Sequence, residues 1–352
     1  MRGNARRFRR FAQWHADELS RDGSQGAAAT IYDLPQEGDD VVGAISSVTA
    51  TYDDTLVDIA RRHGLGYQDI VRENPDVNVW LPGAGTEVVL PTRFVLPPGP
   101  RTGLILNLAE YRMYYFPEPK AGETAKVHTF PMSIGRMDWE TPLGRTKIVA
   151  MARNPAWYPP QSIRDEHAAA GDPLPRIVPP GPANPLGSRA LRLDIPGYLI
   201  HGTNRPAGVG MRVSHGCIRM FPEDVEFLFD HVRVNTAVRI IDVPVKIGWE
   251  GEALIVEVHP LLEIPQPLVA ASLQQIEELD ADVEIPAVES VSKDPLTHVT
   301  EQFVAVTAER AGQLDWDLIE ALVERSDGIP EVVGVSIAGA SIKNAATSAA
   351  SE

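Results

Sequence analysis

Residues 201–220 read HGTNRPAGVGMRVSHGCIRM, and this stretch sets the terms for the rest of the chain. His201 follows the apolar triplet Tyr198-Leu199-Ile200, and Cys217 follows Ser214-His215-Gly216, so an imidazole and a thiol stand at two strand ends across a glycine-rich connection. Thiol attack on an amide needs thiolate, and a free cysteine ionises at about 8.5, so a nearby base must take or hold the proton. His201 supplies that base. The next residue, Gly202, has no side chain to orient the ring, which leaves its backbone carbonyl as the candidate partner of the second ring nitrogen. A tetrahedral intermediate needs donors already aimed at its oxygen, and the amides of Gly216 and Cys217 can turn toward it where glycine frees the backbone. Arg219, two residues past the thiol and on the same side of an extended chain, can pair with a substrate carboxylate. His201, His215 and Cys217 are also legitimate zinc ligands. They lack a recognisable ligand-pair spacing, and glycine at the turn of the thiol fits acyl transfer better, so no metal is expected. Cys217 is the single cysteine, so no intramolecular disulfide can form and its thiol is either packed or reactive.

Outward from this stretch the chain reads as mostly β. Gly103 to Phe116, Val127 to Ile134, Thr146 to Met151, Leu191 to Ile200 and Val238 to Val243 alternate apolar and polar residues between Pro- and Gly-rich turns, as in a β-sandwich or barrel. One helix interrupts them, from Pro222 through Val225, Leu228, Phe229 and Val232. Between Asn154 and Gly187 prolines are so frequent that an irregular binding loop is expected, with Trp157 and Tyr158 lining a cleft or anchoring the loop.

From Val48 to Thr92 the pattern is strand, helix, helix, strand. Thr55 and Asp58 form a capping signature, Leu56, Ile59 and Ala60 share a helical face, and Gly64 marks the stop. Tyr67, Ile70 and Val71 repeat the spacing up to Asn74-Pro75, and Glu87 to Leu90 is β-prone up to Pro91. The expected organisation is a disordered leader (1–43), this small unit (44–93), a stiff proline-rich linker (94–100), a catalytic domain (101–244), a strand segment (245–268) and a partly helical, partly disordered tail (269–352) whose helical run spans Glu301 to Glu324. Because His201 and Cys217 lie beyond the linker, the small unit is expected to be dispensable for turnover of a small substrate.

A formal net charge of -16 disfavours nucleic acid or anionic lipid as partner, the basic run Arg2 to Arg10 falling in the expected leader. No stretch approaches the roughly 20 apolar residues of a membrane span, and no export signal is visible after Arg10.

The string from His201 to Met220 resembles the active-site signature of the L,D-transpeptidase catalytic domain (YkuD family), H-G-[ST]-x followed by S-H-G-C-[IL]-R, with every signature position filled. The likeness extends to IGRMDWETPLGRTKI, Ile134 to Ile148, and the phrases DTLVDIARRHGLGYQDIVRENP and WLPGAGTEVVLP resemble a LysM glycan-binding module. The resemblance implies a β-sandwich catalytic domain in which Cys217 is the acylated nucleophile and His201 the base. Gly202, Ser214, His215 and Gly216 then support the oxyanion site, and Thr203, Asn204 and Arg219 shape the substrate cleft. It implies, further, an enzyme of the periplasm or cell envelope that needs no cofactor and acts on peptidoglycan. The acyl group would pass to a second diaminopimelate, a lipoprotein lysine or another amine. Water as acceptor, giving a carboxypeptidase or endopeptidase, and a non-catalytic wall-binding protein are the alternatives.

Overall fold

The computed structural model of the chain describes residues 30–136, 139–262 and 294–337. The basic run Arg2 to Arg10 and the end of the chain beyond residue 337 lie outside the described residues.

The chain opens with β1 (Thr30–Asp33), β2 (Val41–Thr49), α1 (Leu56–Arg62), α2 (Tyr67–Glu73) and β3 (Glu87–Val95). Helix α1 starts where Thr55 accepts from the Asp58 amide while the Asp58 carboxylate accepts from the Thr55 amide. Past α2, the Asn74 side chain donates to the Ile70 and Val89 carbonyls and accepts from the Val89 amide, which ties the helix to β3. Two sequence expectations change here. Thr30-Ile31-Tyr32, placed in a disordered leader, is β-prone and pairs as β1, antiparallel, with Val127 to Thr129. Strand β3 runs through Pro91 to Val95, because in a two-stranded ladder alternate amides point outside the pairing and a proline there removes no hydrogen bond. The expected linker therefore begins inside a strand, and Val95 and Leu96 are buried.

Next come β4 (Gly103–Asn107), β5 (Arg112–Phe116), β6 (Lys126–Pro131), β7 (Ile134–Gly135), β8 (Gly144–Arg153), α3 (Gln161–Ala169), β9 (Arg189–Leu193), β10 (Leu199–His201), β11 (Arg212–Ser214), β12 (Ile218–Arg219), α4 (Pro222–His231) and β13 (Ala237–Ile241). The domain is mostly β, as its alternation implies. One nine-stranded sheet in the order β1-β6-β5-β4-β13-β8-β9-β10-β12 forms it, with β7 and β11 as a separate parallel pair. Leu104, Leu106, Met113, Tyr115 and Phe130 pack with Val225 and Leu228 of α4 and with Ile200 and Ile218 from the far end of the sheet, so the sheet curls around that helix. The expected irregular loop 154–187 contains α3 and a bridge between Trp157 and Val178. Prolines flank α3 and none lies inside it, and Pro160 occupies its N-cap, so proline frequency alone overstated the irregularity.

The chain closes with β14 (Val245–Glu250), β15 (Ala253–Val258), α5 (Pro295–Val306), β16 (Gly312–Leu314), α6 (Trp316–Arg325) and β17 (Glu331–Ser336). What was expected as a strand segment and a tail is a four-stranded sheet, β14-β15-β17-β16, whose Trp249, Leu254 and Val256 share a core with Val299, Ile319 and Leu322. The helical run expected from Glu301 to Glu324 is split by β16, since Thr307 ends one helix and Asp315 caps the next.

Alternation along β4 and β5 places a second row of apolar residues on the other face of the large sheet. Ile105, Tyr114, Phe116 and Val127 pack there against Leu56, Ile59, Leu65 and Ile70, so the N-terminal unit and the sheet share one core. Polar contacts reinforce this packing: buried Arg112 pairs with Asp69 at 2.6 Å, and Arg61 of α1 makes two hydrogen bonds of 2.8 Å to Glu223 in the first turn of α4. The Tyr67 amide donates to the Val209 carbonyl at 2.9 Å. Beside it a Cβ on Gly210 would lie 2.6 Å from the Gly66 Cα, so that approach requires glycine. This shared core argues against a dispensable unit on a linker. Deleting residues 41–96 should abolish turnover of even a small substrate along with the native near-UV circular dichroism. Ile105→Ala, expected to cost about 2–5 kcal/mol, should lower the melting temperature of both units in one transition; two separate transitions, or an active truncation, would show that they fold independently.

Candidate active site

Strands β10 and β12 run parallel, with Ile200 opposite Ile218 and His201 opposite Arg219. Ile200 and Ile218 point into the core, so alternation puts His201, Cys217 and Arg219 together on the opposite face. His201 ends β10 and Cys217 directly precedes β12. The far side of β12 is closed by Ser133, whose amide and carbonyl exchange hydrogen bonds with those of Arg219 at 2.8 and 3.1 Å.

Both peptide units flanking Cys217 are held by hydroxyls. Thr141 Oγ1 donates to the Gly216 carbonyl at 2.9 Å, and Ser214 Oγ donates to the Cys217 carbonyl at 2.5 Å. In a trans peptide the N–H points away from the C=O, so fixing the Gly216 carbonyl also fixes the direction of the Cys217 amide. Gly216 itself has φ +92, and a Cβ there would meet the Tyr198 ring at 2.8 Å. Tyr198 in turn donates to the Glu140 carbonyl at 3.1 Å.

His201 is buried, and its Nδ1 lies 2.6 Å from the Gly202 carbonyl. Nδ1 carries the proton in that bond, which leaves Nε2 as the ring's proton acceptor. Burial, with Arg219 adding to it, brings the imidazole down to about 3, against a smaller upward pull from the Gly202 carbonyl. Burial pushes the Cys217 thiol up, and a Leu199 backbone hydrogen bond and Arg219 offset only part of that. The resting pair is therefore a thiol and a neutral imidazole. The thiol makes its hydrogen bond with the Gly197 carbonyl, at 3.6 Å.

Arg219 is lowered by burial and then by Arg205, its Nε is buried without a partner, and no acidic side chain among the described residues forms an ion pair with it. Of the other sequence candidates, Thr203 is buried and accepts from the Arg205 amide, whereas Asn204 donates to the Ala183 carbonyl at 3.1 Å. Thr203 holds its own loop, and Asn204 ties that loop to the 154–187 segment. His215 stands edge-on to Trp139, ring centroids 5.3 Å apart, with its Nε2 3.0 Å from the Glu166 carboxylate. Glu166 also takes a fork of two hydrogen bonds from Arg136, at 2.9 and 3.2 Å. Arg136 and then His215 hold this carboxyl down at about 2. Sequence reasoning missed Thr141, Tyr198, Arg136 and Glu166. Thr141 and Arg136 fall within the stretch Ile134 to Ile148 already singled out, but Glu166 lies in the proline-rich segment with nothing local to mark it.

The family profile described as the YkuD L,D-transpeptidase catalytic domain matches residues 101–243. Over 312 residues, which are 87% of this chain and 92% of the relative, the sequence is 36% identical to the probable L,D-transpeptidase ErfK/SrfK of Salmonella typhimurium. The chain belongs to the L,D-transpeptidase family. A second such relative, the probable L,D-transpeptidase YbiS of Escherichia coli, is 39% identical over 237 residues, 66% of this chain and 76% of its own. Among solved structures, L,D-transpeptidase 3 from Mycobacterium tuberculosis covers 62% of this chain and 96% of its own at 18% identity and a TM-score of 0.30, a likeness that adds nothing to the assignment.

In an L,D-transpeptidase whose thiol is raised and whose imidazole is neutral, thiolate accumulates only as pH climbs past the ordinary thiol value. Iodoacetamide labelling of Cys217 should accordingly quicken with pH through that range, with no plateau near neutrality. A rate already flat and fast from pH 5 would reveal a resting thiolate–imidazolium pair instead.

Proposed function

We propose that this L,D-transpeptidase acts on peptidoglycan stem tetrapeptides by acyl transfer through Cys217. The observation that carries the proposal is the shared face of β10 and β12, which carries a buried imidazole whose Nδ1 is held by the Gly202 carbonyl, a thiol whose flanking peptide units are held by hydroxyls, and a guanidinium with no acidic partner among the described residues. Cys217 Sγ attacks the carbonyl between the L-centre of diaminopimelate and D-alanine while His201 Nε2 takes the thiol proton. The amides of Gly216 and Cys217 receive the developing oxyanion, with Ser214, His215 and Gly202 as supports. His201 then protonates the leaving D-alanine amine, leaving a thioester that an acceptor amine attacks. Arg219 holds a stem-peptide carboxylate, and Thr203 and Asn204 shape the cleft wall. Diaminopimelate of a second stem is the proposed acceptor, with a lipoprotein lysine as the variant. No group other than these side chains and amides is assigned a step.

The N-terminal unit is proposed to be a LysM module that holds the enzyme on glycan. Its support is the strand–helix–helix–strand order and the exposed Tyr52, Trp80 and Leu81, which offer apolar surface to a sugar face. The substrate places the enzyme in the periplasm or cell envelope. Among the described residues no helix is long and apolar enough to cross a membrane.

Incubation with a purified disaccharide tetrapeptide, followed by mass analysis, tests the reaction: cross-linked dimer and free D-alanine are expected. Trimmed tripeptide alone would mean that water is the acceptor, and unchanged substrate would refute the proposal. Cys217→Ala should abolish product at unchanged melting temperature, since the thiol is small and its loss leaves little cavity. Arg219→Lys should cost at least about tenfold in kcat/KM, because an ammonium cannot reproduce the two parallel hydrogen bonds of a guanidinium; full activity would remove Arg219 from substrate binding.

A further inference from the structure

Helix α3 is hydrogen-bonded to the turn of Cys217 through Glu166. Glu166 lies 3.0 Å from His215 Nε2 and takes the two-pronged bond from Arg136. Arg136 is itself attached to the turn, for its amide donates to the Ser214 carbonyl at 2.9 Å. The other side-chain hydrogen bonds of α3, from Gln161 to Asp165 and from Arg164 to Gln161, stay within the helix. His215 is the residue before Gly216, so the bond on its ring bears on the two amides proposed to meet the oxyanion. Trp139 fixes the other side of that ring. A carboxylate that accepts from an imidazole and a guanidinium at once has its orientation set from two directions.

From this geometry we infer that Glu166 is a positioning residue for acyl transfer: by holding His215 it sets the aim of the Gly216 and Cys217 amides. The inference rests on the proposed acyl-transfer reaction. Its chemical content is specific. Loss of Glu166 leaves the thiol, His201 and their burial in place, so attack of Cys217 on a small alkyl halide, which builds no oxyanion, is untouched. Attack on an acyl donor loses stabilisation of the tetrahedral oxygen, because small misplacements of preorganised groups cost large factors in rate.

Two rates on full-length protein separate these effects: single-turnover release of D-alanine from the disaccharide tetrapeptide, and iodoacetamide labelling of Cys217 at the same pH. Glu166→Ala is expected to slow D-alanine release about tenfold to a hundredfold while the labelling rate stays unchanged. Glu166→Gln should recover much of the loss, since its amide oxygen still accepts from His215 Nε2–H. The inference is overturned if D-alanine release is unaffected in Glu166→Ala, if release and labelling fall together, or if Glu166→Gln is no better than Glu166→Ala. A wild-type enzyme that releases no D-alanine sinks the proposed reaction and this inference with it; normal wild-type release beside an unaffected Glu166→Ala sinks the inference alone.

Discussion

Strand β5 is buried at every one of its positions, Arg112 to Phe116, and that constraint organises the molecule. A strand covered on one face needs only alternation, but this one is covered on both, so a charged residue in it must be neutralised within the protein. Arg112 is answered by Asp69 and by the face of Phe94, 4.2 Å from its guanidinium carbon. At the turn entering the strand, Glu110 is answered by Lys246 at 2.6 Å, and Lys246 reaches Glu257 at 2.8 Å. Lys246 and His259 outweigh burial and hold Glu257 low. Glu257 also accepts from the Val95 amide at 2.6 Å. Glu110, Glu257 and His259 stand close enough to embrace a metal ion, and the Lys246 ammonium pairs with both carboxylates of that cluster. Removing one member of such a network strands a buried charge, so the three units are fixed to one another by electrostatics as well as by apolar packing.

The same constraint extends to the chemistry. The elements that cover β5 from outside, α1 and α2, continue to the connection between His201 and Cys217 through Val209 and Gly210, and to the helix after Cys217 through Glu223. Hydroxyls then fix the turn itself. An imidazole and a thiol both uncharged at rest store no ion pair, and in the proposed reaction proton transfer accompanies attack. Such a site depends on the placement of its donors, which explains why so many contacts converge on residues 214–217.

The sequence disclosed local features well. The capping pair Thr55–Asp58, the stop at Asn74 and the proline-led helix α4 all have the positions their spacing implied. His201 and Cys217 stood out because strand ends, glycine, imidazole and thiol adjoin within twenty residues of text. Features made by distant partners were opaque. Pairing of β1 with β6 and of β15 with β17 joins segments far apart in sequence, and no local period announces either. Glu166 reads as one acid among many, since its meaning comes from Arg136 and His215. The linker was misread because Leu96-Pro97-Pro98-Gly99-Pro100 does look extended; what composition could not show is that the strand before it is glued to a second core.

The shared core also bears on how such a chain can be recombined. Domains joined by open tethers can be exchanged by splicing at the tether, since little surface changes hands. Here a cut near Leu96 would bare Ile105, Tyr114, Phe116 and Val127, and orphan Arg112 and Glu223. A transplanted N-terminal unit would have to match that footprint residue by residue. Inheritance of the N-terminal half is thus tied to inheritance of the catalytic half, and engineered chimeras should swap the pair together or repaint the back of the sheet first.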